Sequence, residues 1–439
     1  MTGIEVVTTV FGGVSLFLGL ILHLKFPPGI WGGVFWLPKL WADAWSPVLA
    51  LLGLAGSLLG WIAFNPFAVV AGFSGTVLLL RHILLVTWGE DPFIPVFGAK
   101  RVQEFRTATK KYRLIQPAPP PAKGTRDIVL QPGKDTAPPL QADLWEPAEG
   151  ISRSGLAVIY LHGGIWQAID KDFLTQPLFR RLASQGHVIL DVAYPLAPQA
   201  NLDMMLTSVG HTVGWMKEHA VEYRVNPERI VLMGVSGGAH LALLAAYAPT
   251  HPAFQQFVPG ADMSVCAVIS LFGVTDMAAF FIEYSRTTKK QPEFSSQISP
   301  DTLPRIHDRT WLDRFMTRIR AFPAYRYGNM PGGALLLVGL MGGTLKEIPE
   351  KYHLASPLTH VGPHCPPTLQ IFDDNDFIID AAHGCRLNQA LCGKGIPSVY
   401  IEYPQTVHGF DQYFGVSRRI SPSAQAATFE IERFLTLME

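Results

Sequence analysis

Three short runs carry residue types that can do covalent chemistry together. Gly234-Val235-Ser236-Gly237-Gly238 fits G-x-S-x-G. It stands between the apolar run Arg229–Met233 and the helix-forming run Ala239–Leu244, the setting in which such a serine is lifted above a sheet on a sharp turn. Serine is a weak nucleophile until a base takes its proton, and histidine suits that task at neutral pH. The chain holds 14 histidines, so any one of them is by default a surface residue. His408, in His408-Gly409-Phe410, is singled out by its place after the last strand-like run and by the order serine, acid, histidine along the chain.

The acid is sought in Phe372-Asp373-Asp374-Asn375-Asp376-Phe377, which follows another strand-like run. One carboxylate must reach the second imidazole nitrogen to fix the tautomer and stabilise the imidazolium. Asp376 is preferred, then Asp374, then Asp373. A fourth run, His162-Gly163-Gly164-Ile165-Trp166, lies 74 positions before Ser236. Paired glycines let backbone N–H groups point at an oxyanion, so Gly163, Gly164 and Gly237 are the expected donors. His162 is expected to hold this loop rather than to move protons. Together these groups imply acyl transfer through a serine ester.

The elements that must position them read as short β-branched or apolar runs bounded by turns. These are 126–130, 140–145, 156–161, 188–194, 230–235, 265–271, 368–372 and 399–403. Helical stretches such as 204–219 and 238–248 separate several of them. The first two runs flank a Pro/Gly turn and imply an antiparallel opening; the rest imply a mostly parallel sheet covered on both faces, with the site beyond the carboxyl ends of its strands. The expected class is α/β.

With those residues in view, the domain resembles the hormone-sensitive-lipase-like carboxylesterases and related α/β-hydrolase esterases. The likeness rests on His162-Gly163-Gly164, Tyr194-Pro195-Leu196-Ala197-Pro198, Gly234–Gly238 and His408-Gly409-Phe410, and it extends over roughly 143–435. It implies an α/β-hydrolase fold, and it supports Asp376, because in that family the acid precedes a short apolar stretch, here Phe377-Ile378-Ile379. Ile165 departs from the third glycine of many lipase-like members. His-Gly-Gly-X-Trp instead resembles the feruloyl-esterase-like, arylformamidase-like and isoprenylcysteine-methylesterase-like branches, the last of which also carries N-terminal membrane segments. About a hundred residues separate the run ending at Leu271 from Thr368, so a cap or insertion is expected over about 280–340. Within it Trp311, Phe315, Ile319 and Phe322 fall at helical spacing among Arg309, Arg314, Arg318 and Arg320, as a lid helix or a lipid-facing segment would.

The remainder of the chain is of another character. Mean hydropathy is +0.21, and the apolar excess sits at the N-terminus. Residues 6–24, 47–64 and 67–88 are apolar runs, the first of them 19 residues without a charge, close to the ~20 that cross a bilayer. They predict a transmembrane region over 1–92. A cleaved signal peptide fits poorly, because there is no basic leading segment and two more runs follow. Trp31, Trp36, Trp41 and Trp45 lie between the first two runs and suit a membrane interface. Gly56 and Gly60 form a GxxxG pair that would let two helices approach, within one chain or between copies.

A basic, proline-rich linker is expected over 93–122, with the catalytic domain over 123–439. Six cations between Lys100 and Arg113 face the single acid Glu104. With three spans this segment shares a side with Lys25 and Lys39, which places the catalytic domain in the cytoplasm. Cations and acids balance at 35 each, so no field recruits nucleic acid. Four scattered cysteines make no disulfide framework, and no HExxH, CxxC pair or GxxxxGK[ST] occurs, so no metal or other cofactor is expected. The sequence thus predicts a membrane-anchored serine esterase for apolar or lipid-derived esters. The rivals are an acyltransferase with the same triad and a non-catalytic scaffold. If the anchor only holds the enzyme at its substrate, a chain starting near Gln116 should keep activity on soluble esters and show reduced activity on bilayer-embedded ones.

Overall fold

Residues 157–161, 230–235 and 267–271 carry almost nothing but apolar side chains, so neither face of a strand made from them tolerates water. Accordingly they form the middle of a sheet. The structure, a computed structural model, describes residues 2–26, 30–104, 111–133, 138–258, 260, 262–286, 333–411 and 417–439. Among these are eight strands: β1 (Lys123–Gln131), β2 (Leu140–Glu146), β3 (Ala157–Leu161), β4 (Val188–Ala193), β5 (Ile230–Val235), β6 (Ala267–Leu271), β7 (Thr368–Asp373) and β8 (Ser398–Tyr403). They join one sheet in the order β1-β2-β4-β3-β5-β6-β7-β8. β1 and β2 pair antiparallel, as do β2 and β4, while β3 pairs parallel with β4 and β5, and β5 with β6. β3, β5 and β6 are buried at every position. The antiparallel β1 lies at an edge and is mostly exposed.

By its contacts the chain forms two compact units. One contains Met1–Ala118, Ile371–Ala381 and Ile401–Thr436; the other contains Pro119–Gln370, Ala382–Tyr400 and Leu437–Glu439. The second holds most of the sheet and the helix Gly237–Tyr247, every residue of which is buried. The expected cap over about 280–340 lies largely outside the described residues, including Trp311, Phe315, Ile319 and Phe322 and the arginines between them.

The first unit begins with four helices: α1 (Gly3–His23), α2 (Ile30–Ala44), α3 (Ser46–Ile62) and α4 (Pro66–Thr87). α1 and α4 are long and apolar enough to cross a membrane. The part of α2 from Gly32 meets α3 at a 79° bend, so that pair makes one broken span or a re-entrant loop. α3 alone has 17 residues, short for a full crossing. Asn65 turns the chain between α3 and α4: its side chain caps α4 at the Ala68 amide, 3.2 Å, and donates to Thr9 Oγ1 at 2.8 Å. Small residues let the three long helices touch backbone to backbone. A Cβ on Gly72 would stand 2.4 Å from the Gly53 carbonyl oxygen, and one on Gly56 would stand 2.9 Å from the Gly12 nitrogen. Ser15 donates across to the Leu49 carbonyl at 2.8 Å and Thr76 to the Ala50 carbonyl at 3.0 Å. Between apolar helices such bonds and close contacts replace the missing hydrophobic drive. Val10, Phe17, Leu58, Trp61, Phe67, Val70 and Phe73 point outward, an apolar surface of the kind a bilayer covers.

The segment after α4 is tied to the end of the chain. Gln116 exchanges backbone and side-chain bonds with Arg419 at 2.8 and 2.7 Å, Lys111 pairs with Glu430 at 2.9 Å, and Arg433 lies 4.5 Å over the Phe93 ring. The expected linker over 93–122 therefore contacts the C-terminal helix Pro422–Met438 at Phe93 and Lys111, and the residues just before that helix at Gln116.

Candidate active site

Ser236 sits where β5 ends and the helix Gly237–Tyr247 begins, with φ 54° and ψ −120°. A non-glycine residue there is strained, and such strain persists only where surrounding packing fixes it. The flanking glycines supply that packing. A Cβ on Gly234 would lie 2.4 Å from the Gly238 carbonyl, and one on Gly238 would lie 2.1 Å from the Leu161 oxygen. Neither space admits a side chain, so the elbow closes only with glycine at both positions. Ser236 N–H donates to the Leu271 carbonyl at 2.9 Å, which ties the turn to β6.

The loop after β3 lies against this elbow. Gly163 faces it closely enough that a Cβ would be 3.5 Å from Ser236 Cβ, and a Cβ on Gly237 would meet Trp166 N at 3.2 Å. Gly164 has φ +108°, and a Cβ there would fall 1.9 Å from the Ala168 oxygen. The next two residues, Ile165 and Trp166, also have positive φ, 54° and 58°. For β-branched Ile165 this is an uncommon state. It stands where the sequence departs from a run of three glycines, and the backbone keeps the turn that glycine would favour. Gly237 N–H belongs to the first turn of its helix, where amides have no intrahelical acceptor. His162 stacks on Tyr194 with 4.3 Å between centroids, its Nδ1 contacts the Gly163 carbonyl at 2.8 Å, and Tyr194 OH donates to the His162 carbonyl at 2.7 Å. Burial pushes the His162 imidazole below its ordinary pKa, so it is a neutral brace for the loop.

Asp376 and His408, the expected acid and base, lie in the other unit, each on the segment following a strand. His408 Nδ1–H donates to Asp376 Oδ2 at 2.6 Å, and both side chains are buried. Asp376 Oδ1 accepts the amides of Ile378 and Ile379 at 2.7 and 2.9 Å. Those bonds aim the carboxylate. The two other aspartates do different work. Asp374 accepts from Gln405 N–H and pairs with Lys25 at 3.2 Å. Asp373 is fully buried, and neither of its oxygens has a hydrogen-bond partner. Burial first, then the neighbouring Asp376 and Asp374, push its carboxyl well above the usual range, so it is held neutral. Asp373, Asp376 and His408 each offer one atom within 4.8 Å of the others, a spacing that could hold a metal ion. Two of those three residues, Asp376 and His408, are hydrogen-bonded to each other.

The sequence suits Trp36 to a membrane interface and gives it no role at the site. It is buried in the same unit, its Nε1–H donates to the His408 carbonyl at 2.8 Å, and its ring meets that of Phe377 edge-on at 6.1 Å. The partners are 372 positions apart for the hydrogen bond, and no local pattern announces such a contact.

The strand order and the serine elbow between β5 and its helix decide the architecture. The chain has the α/β-hydrolase fold. The solved Esterase B from Lactobacillus rhamnosis shares it, with a TM-score of 0.51, 18% identity, and coverage of 74% of this chain and 88% of that one. The profile of the family described as BD-FAE matches residues 142–305, which include the loop after β3 and the turn that carries Ser236. Esterase LipQ of Mycobacterium tuberculosis is 25% identical over 284 residues, 64% of this chain and 57% of LipQ. The probable carboxylic ester hydrolase LipM of the same organism is 26% identical over 298 residues, 67% of this chain and 57% of LipM. This chain thus spans less than two thirds of the length of those relatives.

Proposed function

We propose that this chain is a membrane-anchored serine esterase that cleaves a carboxylic ester through an acyl-Ser236 intermediate. The observation that carries the reading is the backbone of Ser236, φ 54° and ψ −120° at the end of β5. His408 Nε2 takes the proton of Ser236 Oγ as that oxygen attacks the ester carbonyl. Asp376, hydrogen-bonded to Nδ1, stabilises the imidazolium. Gly163, Gly164 and Gly237 N–H groups receive the oxyanion, where fixed donors act without reorganisation. The tetrahedral species collapses, the proton passes from His408 to the leaving alcohol, and water repeats the sequence on the acyl-serine. The similarity to curated esterases supports ester hydrolysis.

The proposed location is a membrane, crossed by α1, by the bent α2–α3 pair as one span and by α4, with the basic segment 100–113 and the hydrolase domain on the cytoplasmic side. The outward apolar faces of those helices support anchoring, and an anchored enzyme gains most from apolar or lipid-derived esters. Ser236→Ala in the full chain tests the chemistry. Hydrolysis of short-chain esters should fall by about 10³-fold or more while the unfolding midpoint stays within a few degrees. Turnover above about a tenth of wild type would remove Ser236 from the mechanism.

A further inference from the structure

The two segments that carry the acid and base are held by the N-terminal helices. Trp36, on α2, donates to the carbonyl of His408 itself, and its ring packs on Phe377, the neighbour of Asp376. His82, on α4, contacts Gln405 Oε1 through Nδ1 at 3.2 Å and Asp43 Oδ1 of α2 through Nε2 at 2.8 Å. Asp43 in turn accepts from Ser423. Gln405 has φ 64°, so the turn three residues before His408 is strained and needs such contacts to keep its shape. Lys25, beyond α1, reaches Asp374, but at the surface, where an ion pair contributes little. Trp36 and His82 are buried, so their bonds are shielded from water.

We infer that Trp36 is a positioning residue for the acid–base pair, acting through His408 and Asp376, so that the N-terminal helices are part of the catalytic apparatus as well as an anchor. The inference rests on the serine-esterase reading above. One side chain touches the backbone of the base and the residue beside the acid, which couples the two loops that follow the neighbouring strands β7 and β8. A shift of the imidazole by a fraction of an ångström weakens both its bond to Asp376 and its reach toward the nucleophile. Small displacements of this kind are costly when geometry does the catalysis. The test is kinetic and uses the full chain in detergent with a water-soluble short-chain ester.

Trp36→Phe keeps an aromatic ring and deletes the donor. It should lower kcat by about ten-fold or more, with KM and the unfolding midpoint near wild type. Trp41→Phe, an exposed tryptophan on the same helix, should change neither. In an Asp376→Asn background the imidazole has already lost its partner, so adding Trp36→Phe should change kcat by less than about two-fold. A residue that merely fills space would lower kcat by the same factor in both backgrounds, and that result overturns the inference. So does a wild-type kcat in Trp36→Phe while Ser236→Ala is inactive. Activity surviving in Ser236→Ala would instead defeat the esterase reading itself. Should Trp36→Phe not fold, Phe377→Leu perturbs the same contact from its half-buried side and must give the same kcat loss and the same non-additivity with Asp376→Asn.

Discussion

Asp373 and Asp376 are three positions apart and meet different environments. Asp376 receives two amides and an imidazole N–H, whereas Asp373 receives nothing. The sequence narrowed the acid to three aspartates and ranked Asp376 first, but no spacing rule says where each carboxylate turns in a loop leaving a strand. Asp373, last residue of the wholly buried β7, is neutral for want of any group to stabilise its charge. A carboxyl whose folded pKa lies above its unfolded value contributes most at acid pH, and that contribution is lost as pH rises from about 4, the ordinary carboxylate value, toward the raised folded value. Asp373→Asn removes the titration. Its unfolding midpoint should therefore gain on that of wild type as pH rises above about 4, with catalysis far less impaired than in Asp376→Asn. A midpoint difference that is flat with pH would mean Asp373 is charged in the native chain.

At the scale of elements the strand pattern was legible: all eight expected runs are strands, with ends moved by at most three residues. The elbow was legible too, because its glycines are demanded by contacts of 2.1 to 2.4 Å that no side chain survives. The tryptophan-rich stretch suits a membrane interface by its composition, and within it Trp41 of α2 is exposed while Trp36 of α2 faces the interior of its own unit. Aromatic composition suits a bilayer interface and a buried contact alike, and only the fold separates them. The GxxxG pair resolves in a related way. Gly56 and Gly60 pack on α1 and α4 of the same chain, where an added Cβ would stand 2.9 Å from Gly12 N and 2.8 Å from Ala68 Cβ, so this face is occupied without a second copy.

For the whole molecule, the N-terminal helices and the segments bearing Asp376 and His408 belong to one unit. This changes the expectation for a chain starting near Gln116. Such a chain lacks Trp36, Asp43 and His82, and also Asp91 and Lys111, which pair with Arg433 and Glu430 of the C-terminal helix. It should lose activity on soluble and bilayer-embedded esters together, in contrast to the selective loss expected of a detachable anchor. The measurement is hydrolysis of both esters by equal amounts of soluble, monodisperse protein. Retained activity on the soluble ester would show that the helices serve location alone.

The central claim is that Ser236 is a nucleophile activated by His408, and labelling with a fluorophosphonate tests it most directly. The reagent bonds covalently to a serine oxygen only when a base removes its proton, and the site is read by peptide mass. The account predicts a single adduct on the peptide containing Ser236 in the intact full-length protein, and a labelling rate reduced by about 10³-fold in His408→Ala. An adduct on another residue, or labelling of Ser236 at an undiminished rate without His408, would contradict it.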